Sequence, residues 1–263
     1  MQIPENHIAE LKESKILLEK TSFIIKAINL LGTPIEKGIE YLPDGWQEKI
    51  AKATNASLSK SLEWATKTMD SESADSYPKL HMATVAATGA IGGAFGLSAI
   101  AIELPISTTV MLRSIADIAR ANGEKITDAE VRLQCLSVFS LGGNSKSDDA
   151  AESGYYAVRA SLASLVTEAA SHLAGKQAGE AIAEKIPALL SFIAKIAARF
   201  NIQVSDKAMA QLVPIIGAAG GAIINTLFID HFQGISRGHF TIRRLERIYG
   251  EETVRKAYLA IEI

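Results

Sequence analysis

Apolar positions recur along most of this chain at spacings of three and four residues, the mark of helices with one buried face. In the first segment Ile16, Leu17, Phe23, Ile24, Ala27, Ile28 and Leu31 form such a stripe. Lys12, Glu13, Lys15, Glu19, Lys20 and Lys26 lie largely off it. This predicts an amphipathic helix that stops near Gly32-Thr33-Pro34. A second helix is expected from Gly45 to Met69, with Pro43 ahead of it and Asp44 placed to cap its free N–H groups. Asp70 to Pro78, rich in Ser and acidic residues, reads as a surface loop. Further on, a helix through Arg113, Asp117 and Arg120 should stop at Asn122-Gly123. Asp128 is placed to cap the next one, which carries Val131, Leu133, Cys135, Leu136, Val138, Phe139 and Leu141. After a polar loop from Gly142 to Ser153, helices are expected over Ala157–Ala174 and Glu180–Phe200, the second holding Pro187. A basic amphipathic stretch over Arg237–Ile263 closes the chain, and only Phe200–Val204 offers a short strand-like run. The pattern is all-α, with about eight to ten helices. It divides into an amphipathic helical extension over 1–44 and a helical domain over 45–263.

Two long uncharged runs break the amphipathic rule. One covers Met82–Ile102 and the other Ala208–Ile229. Each contains G-A-x-G-G-A, at Gly89–Ala94 and at Gly217–Ala222. Gly89 and Gly93, Gly92 and Gly96, and Gly217 and Gly221 are each four apart and so share a helix face. A face without side chains lets another backbone come close. Each interior glycine costs about 1 kcal/mol of helix propensity relative to alanine, so close packing, a hinge or a ligand must use the space. The two runs are therefore read as central Gly/Ala-rich apolar helices wrapped by amphipathic ones. They pack on each other, or each grips another helix at a groove. Both are long enough to span a bilayer, but Gly, Ala, Ser and Thr dilute their hydropathy, and buried core helices are the better reading. No GK[ST] follows either glycine cluster, which argues against a phosphate loop.

Composition narrows the function. Of the 263 residues 48% are hydrophobic and 21% charged, which suits a sizeable core and excludes disorder for most of the chain. The net charge is -2, without the basic excess of a nucleic-acid binder, so no nucleic-acid partner is expected. Cys135 is the one cysteine, which excludes an internal disulfide and a Cys-rich metal site. The polar start, Met1-Gln2-Ile3-Pro4, lacks the pattern of a secretory signal, and a reduced, cytoplasmic setting is expected.

Few residues suggest chemistry. Glu103 is the only charge between His81 and Arg113. A buried carboxylate needs a partner or a raised pKa. Pro105 should kink or restart the helix beside it, and Arg113 lies ten residues on, too far for a direct pair along one straight helix. Glu103 then caps a helix or pairs with another one, or else it faces a ligand. Asn225 is the polar residue of the second run, and a buried amide there would fix helix register. Tyr155 and Arg159, four apart and next to Tyr156, can share a face for packing, stacking or a phosphate contact. Arg237, Arg243, Arg244 and Arg247 belong to the basic tail. They either lie on an anionic bilayer or form a solvated face balanced by Glu246, Glu251 and Glu252. The five histidines are scattered without HExxH, and no G-x-S-x-G elbow occurs, so neither a metal, a cofactor nor a hydrolase triad is expected.

The chain resembles the EcsC family. The likeness runs through Ala87–Leu97, Glu103-Leu104-Pro105 to Ile118-Ala119 with Gly123, Leu136–Gly142, Gly154–Arg159 and Val213–Asn225. It covers roughly residues 45 to 250. The family takes its name from a protein encoded beside an ABC-type transporter, and the resemblance implies an all-helical fold and a membrane-related context. It brings no catalytic residues. The expected function is non-enzymatic: a cytoplasmic protein, peripheral at the inner membrane face, that binds a lipid-like or apolar ligand or a membrane-protein partner. Its rivals are an enzyme on an apolar substrate with Glu103 as key carboxylate, and a soluble protein able to insert its apolar helices into a bilayer.

Overall fold

The structure, a computed structural model, describes residues 3–20, 45–68, 100–142, 154–174, 187–211 and 217–263. Among these the chain is helical, with no strand, and the all-α reading holds. The helix stop at Gly32–Pro34, the cap at Asp44, the loop at 70–78, the first glycine cluster and the helix start at Glu180 lie outside the described residues.

The helices are α1 (Glu5–Lys15), which runs on into a π turn over Ile16–Lys20, α2 (Trp46–Thr68) and α3 (Ile100–Ala121). Then come α4 (Ala129–Ser137) with a short 3-10 turn over Val138–Ser140, α5 (Tyr155–Ala174), α6 (Pro187–Gln211), α7 (Gly217–Tyr249) and α8 (Glu251–Ala260). At 33 residues α7 is about 50 Å long, and it forms the spine. Its residues Phe228, Phe232, Ile235, His239, Phe240 and Ile242 are fully buried. Helices α1, α3, α6 and α8 pack along it, while α2 bridges α3 and α6, and α5 bridges α4 and α6. Phe139, Phe200, Phe228 and Phe232 meet at the centre, with ring centroids 4.9 to 6.2 Å apart.

Three local expectations change. Helix α3 runs through Pro105 without restarting. The ring removes one backbone hydrogen bond, and burial of Leu104, Met111, Leu112 and Ile115 on the same helix offsets that loss. Phe200–Val204 is helix, not strand. Phe200 and Val204 are four apart and both face the core, which a helix satisfies and an alternating strand also would over so short a run. Asp128 stands at the N-cap position of α4, but its side chain makes no cap hydrogen bond.

Gly123 ends α3 as expected. Its φ of +80° is the left-handed conformation that glycine adopts freely. The Gly123 N–H donates to the Arg120 carbonyl at 2.8 Å and the Glu124 N–H to the Ala119 carbonyl at 3.1 Å, a Schellman turn. The turn delivers Glu124 to α7, where Arg243 Nε donates to it at 2.8 Å and Arg247 joins the same carboxylate.

The first helix is tied to the last two. Lys15 Nζ donates to the Tyr258 and Ile261 carbonyls at 3.0 and 2.8 Å, a cation on the open C-terminal end of α8. Tyr258 donates to Glu19 at 2.8 Å, His7 Nδ1 meets the Tyr249 hydroxyl at 2.7 Å, and Arg244 pairs with Glu10. Gly234 and Gly238, four apart on α7, let this contact close. A Cβ at Gly238 would stand 3.0 Å from the Ser14 carbonyl oxygen and 3.0 Å from Leu18.

Candidate functional site

Two polar clusters stand inside this apolar frame. The first joins three helices at one end of α7. Glu103, in the first turn of α3, is buried, as are Lys207 near the end of α6 and Asn225 on α7. Lys207 Nζ and Asn225 Nδ2 both donate to Glu103 Oε1, each at 2.6 Å. Lys207 also lies over the Phe228 ring, 5.1 Å from its centroid. Glu103 Oε2 has no hydrogen-bond partner among the described residues. A buried ion pair of this kind gains Coulomb energy against a large desolvation cost, so its net contribution is small while it is intact. It does restrict three helices to one register.

The second cluster gathers around the start of α5. Arg159 pairs with Glu246 of α7 through two bonds, at 2.7 and 3.0 Å. It also donates to the Tyr155 hydroxyl at 3.2 Å, and that hydroxyl meets His239 Nδ1 at 2.9 Å. Tyr156 donates to Glu246 at 3.1 Å. The Arg159 guanidinium lies 5.4 and 5.5 Å from the centroids of Tyr155 and Tyr156, and both rings contact Tyr258 of α8. Burial pushes the Tyr155 and Tyr156 hydroxyls up and away from ionisation at neutral pH. Burial, with Arg159 and Arg243 nearby, holds the His239 imidazole well below its usual range, so it is neutral.

Beside this cluster is a cleft of about 150 Å³, open at the surface. Leu141, Leu162 and Val166 line it together with Gln134, Arg159, His239, Glu251 and Arg255. Among the described residues no group of side chains could hold a metal ion.

A family model for the EcsC protein family matches residues 7–245 of the sequence. The chain belongs to the EcsC family. The matched span starts inside α1, which agrees with the way α1 is built into α7 and α8. No curated protein and no solved structure matches the chain.

The structure divides the sequence candidates of this EcsC-family chain between the two clusters. Glu103 and Asn225 meet directly, and Tyr155 and Arg159 share a face as their spacing requires. Arg113 is exposed on α3 while Glu103 is buried. Of the basic tail, Arg243 and Arg247 hold Glu124, Arg244 holds Glu10, and Arg237 is exposed. Sequence reasoning passed over Lys207, although it is a lone lysine at the edge of an apolar run, as Glu103 is a lone carboxylate in the other. It counted His239 and Glu246 only among scattered histidines and tail acids, because their partners on α5 lie 84 and 87 positions away.

Among the described residues no helix is long and apolar enough to cross a membrane.

Proposed function

We propose that this EcsC-family chain is a binding module, without chemistry of its own, that works at a membrane face and takes a lipid-like ligand. The observation that carries this reading is the cleft beside Tyr156 and Arg159, whose lining combines apolar and polar side chains. Such a lining suits a ligand with an apolar body and a polar end. The enzyme reading needed Glu103 in a cavity with other polar groups. Glu103 is instead buried against Lys207 and Asn225 and does not line the cleft. The basic tail is a weak membrane anchor in this arrangement, because Arg243, Arg244 and Arg247 are already matched by Glu124 and Glu10. Attachment is therefore expected through the ligand rather than through surface charge.

Flotation of the purified full chain with neutral and anionic vesicles, at low and high salt, tests this. The reading expects co-flotation that survives high salt and depends little on lipid charge. Flotation abolished by salt would transfer the attachment to the basic residues. No flotation with either vesicle would remove the membrane from the account.

A further inference from the structure

Two opposite charges border the cleft without an ion-pair partner. Glu251 and Arg255 both line it, and both are exposed on α8. They are four apart and so share a helix face, with Cβ atoms about 5–6 Å apart. Glu252 and Lys256, at the same spacing, pair at 3.4 Å. Glu251 and Arg255 form no ion pair with each other or with any other described residue. Arg255 is held elsewhere: its guanidinium lies 5.8 Å from the centroid of the Tyr156 ring, which also lines the cleft. Arg159 is the other cation there, and Glu246 already balances it through two hydrogen bonds. The unbalanced groups are one carboxylate and one guanidinium, a helical turn apart. A simple anion or cation would meet a like charge in this lining, whereas a ligand carrying both signs meets an opposite charge at each end.

The surroundings narrow that ligand. Two guanidinium groups already engage the Tyr156 ring, Arg159 at 5.5 Å and Arg255 at 5.8 Å, so it is a poor cage for a quaternary ammonium. Glu251 accepts N–H bonds, which a primary ammonium makes and a quaternary one does not. A guanidinium such as Arg255 matches the oxygens of a phosphate. In phosphoethanolamine only two carbons separate the ammonium from the phosphate ester oxygen, a span comparable to one helical turn. The cleft, about 150 Å³, has room for such a group and not for whole acyl chains.

We infer that the cleft is a phosphoethanolamine site: it seats an ethanolamine ammonium on Glu251 and the adjoining phosphate on Arg255. This rests on the binding-module reading and names the head group that the module recognises. The group has two sources, a soluble glycerophosphoethanolamine or phosphatidylethanolamine held in a membrane.

Calorimetric titration of the full chain with glycerophosphoethanolamine and with glycerophosphocholine tests the assignment, beside flotation on phosphatidylcholine vesicles with and without phosphatidylethanolamine. The ethanolamine ester should bind with Kd below about 1 mM and the choline ester at least about tenfold more weakly. Glu251→Gln should abolish that preference, and Arg255→Gln should weaken the ethanolamine ester about tenfold. Both residues are exposed and outside the ion pairs of the fold, so both variants should keep the wild-type melting temperature. An ethanolamine preference seen in flotation assigns the site to the membrane lipid, and one seen only in the titration assigns it to the free ester. Equal binding of the two esters, or binding of neither with equal flotation on the two vesicles, would overturn the head-group assignment and leave the binding module standing. Absence of both ester binding and flotation would overturn both. A preference that persists in Glu251→Gln would overturn the role of Glu251.

Discussion

The Glu103–Lys207 pair shows how single residues hold this fold. Removing one charge leaves the other buried without compensation, which costs about 3 kcal/mol or more. Glu103→Gln keeps an acceptor for Asn225 but strands the Lys207 ammonium, so urea denaturation should show a loss of about that size. Glu103→Gln combined with Lys207→Met should recover most of it, because the desolvation cost disappears with both charges while Asn225 keeps an acceptor. Single and double variants equally unstable would contradict this account of the pair. Asp206, the next residue, behaves differently. Burial raises its carboxyl to about 6, above the ordinary value of 3.8. The native state then holds a proton that the unfolded chain has released, so this contribution to stability is present below pH 3.8 and lost as pH rises towards 6. Asp206→Asn should therefore stabilise the chain at pH 7 and give no gain at pH 3.5. With Asp206 partly exposed, about 1 kcal/mol is a fair size for the gain. Denaturation curves at the two pH values check the sign. Glu103 was legible in the sequence as an isolated charge, but its partner was not. The pairing spans 104 positions, and no local periodicity encodes it.

Helix existence was far more legible than helix contact. The apolar spacing placed α2, α3, α4 and α5 almost where the structure has them, because one buried face writes a period of 3.6 into the sequence. It missed the continuity of α3 through Pro105 and the helix at Phe200–Val204, where tertiary burial overrides local preference. Small-residue spacing was read at Gly89–Gly96 and Gly217–Gly221, yet the tight helix contact described here is at Gly234 and Gly238. Those two glycines lie among Phe232, Ile235, Phe240 and charged neighbours, where nothing in composition sets them apart. The two positions should respond differently. A Cβ at Gly234 would stand 3.4 Å from a flexible Leu17 methyl, whereas at Gly238 it meets the Ser14 backbone at 3.0 Å. Gly234→Ala should be neutral or stabilising by up to about 1 kcal/mol through helix propensity. Gly238→Ala should be the less stable of the two, with the loss reported as earlier exchange of α1 amides. Equal stability of the two variants would show that α1 gives way to the added methyl without cost.

At the scale of the whole molecule, ion pairs and side-chain caps tie α1 to α7 and α8, so the start of the chain closes against its end. Linear order carries no sign of that closure. The same limit hid the cleft. Its lining comes from Gln134 and Leu141, from α5, and from His239 and Arg255, segments that meet only once the bundle is formed. The central claim is that this cleft, rather than the basic tail, connects the chain to lipid. Its most direct test is vesicle flotation of the wild-type chain beside Ala163→Trp. Ala163 is an exposed residue of α5 that lines the cleft, so an indole there should fill the space without disturbing the core. The account expects the wild-type chain to float at high salt and the variant to stay at the bottom of the gradient with its fold intact. Equal flotation of the two would contradict it.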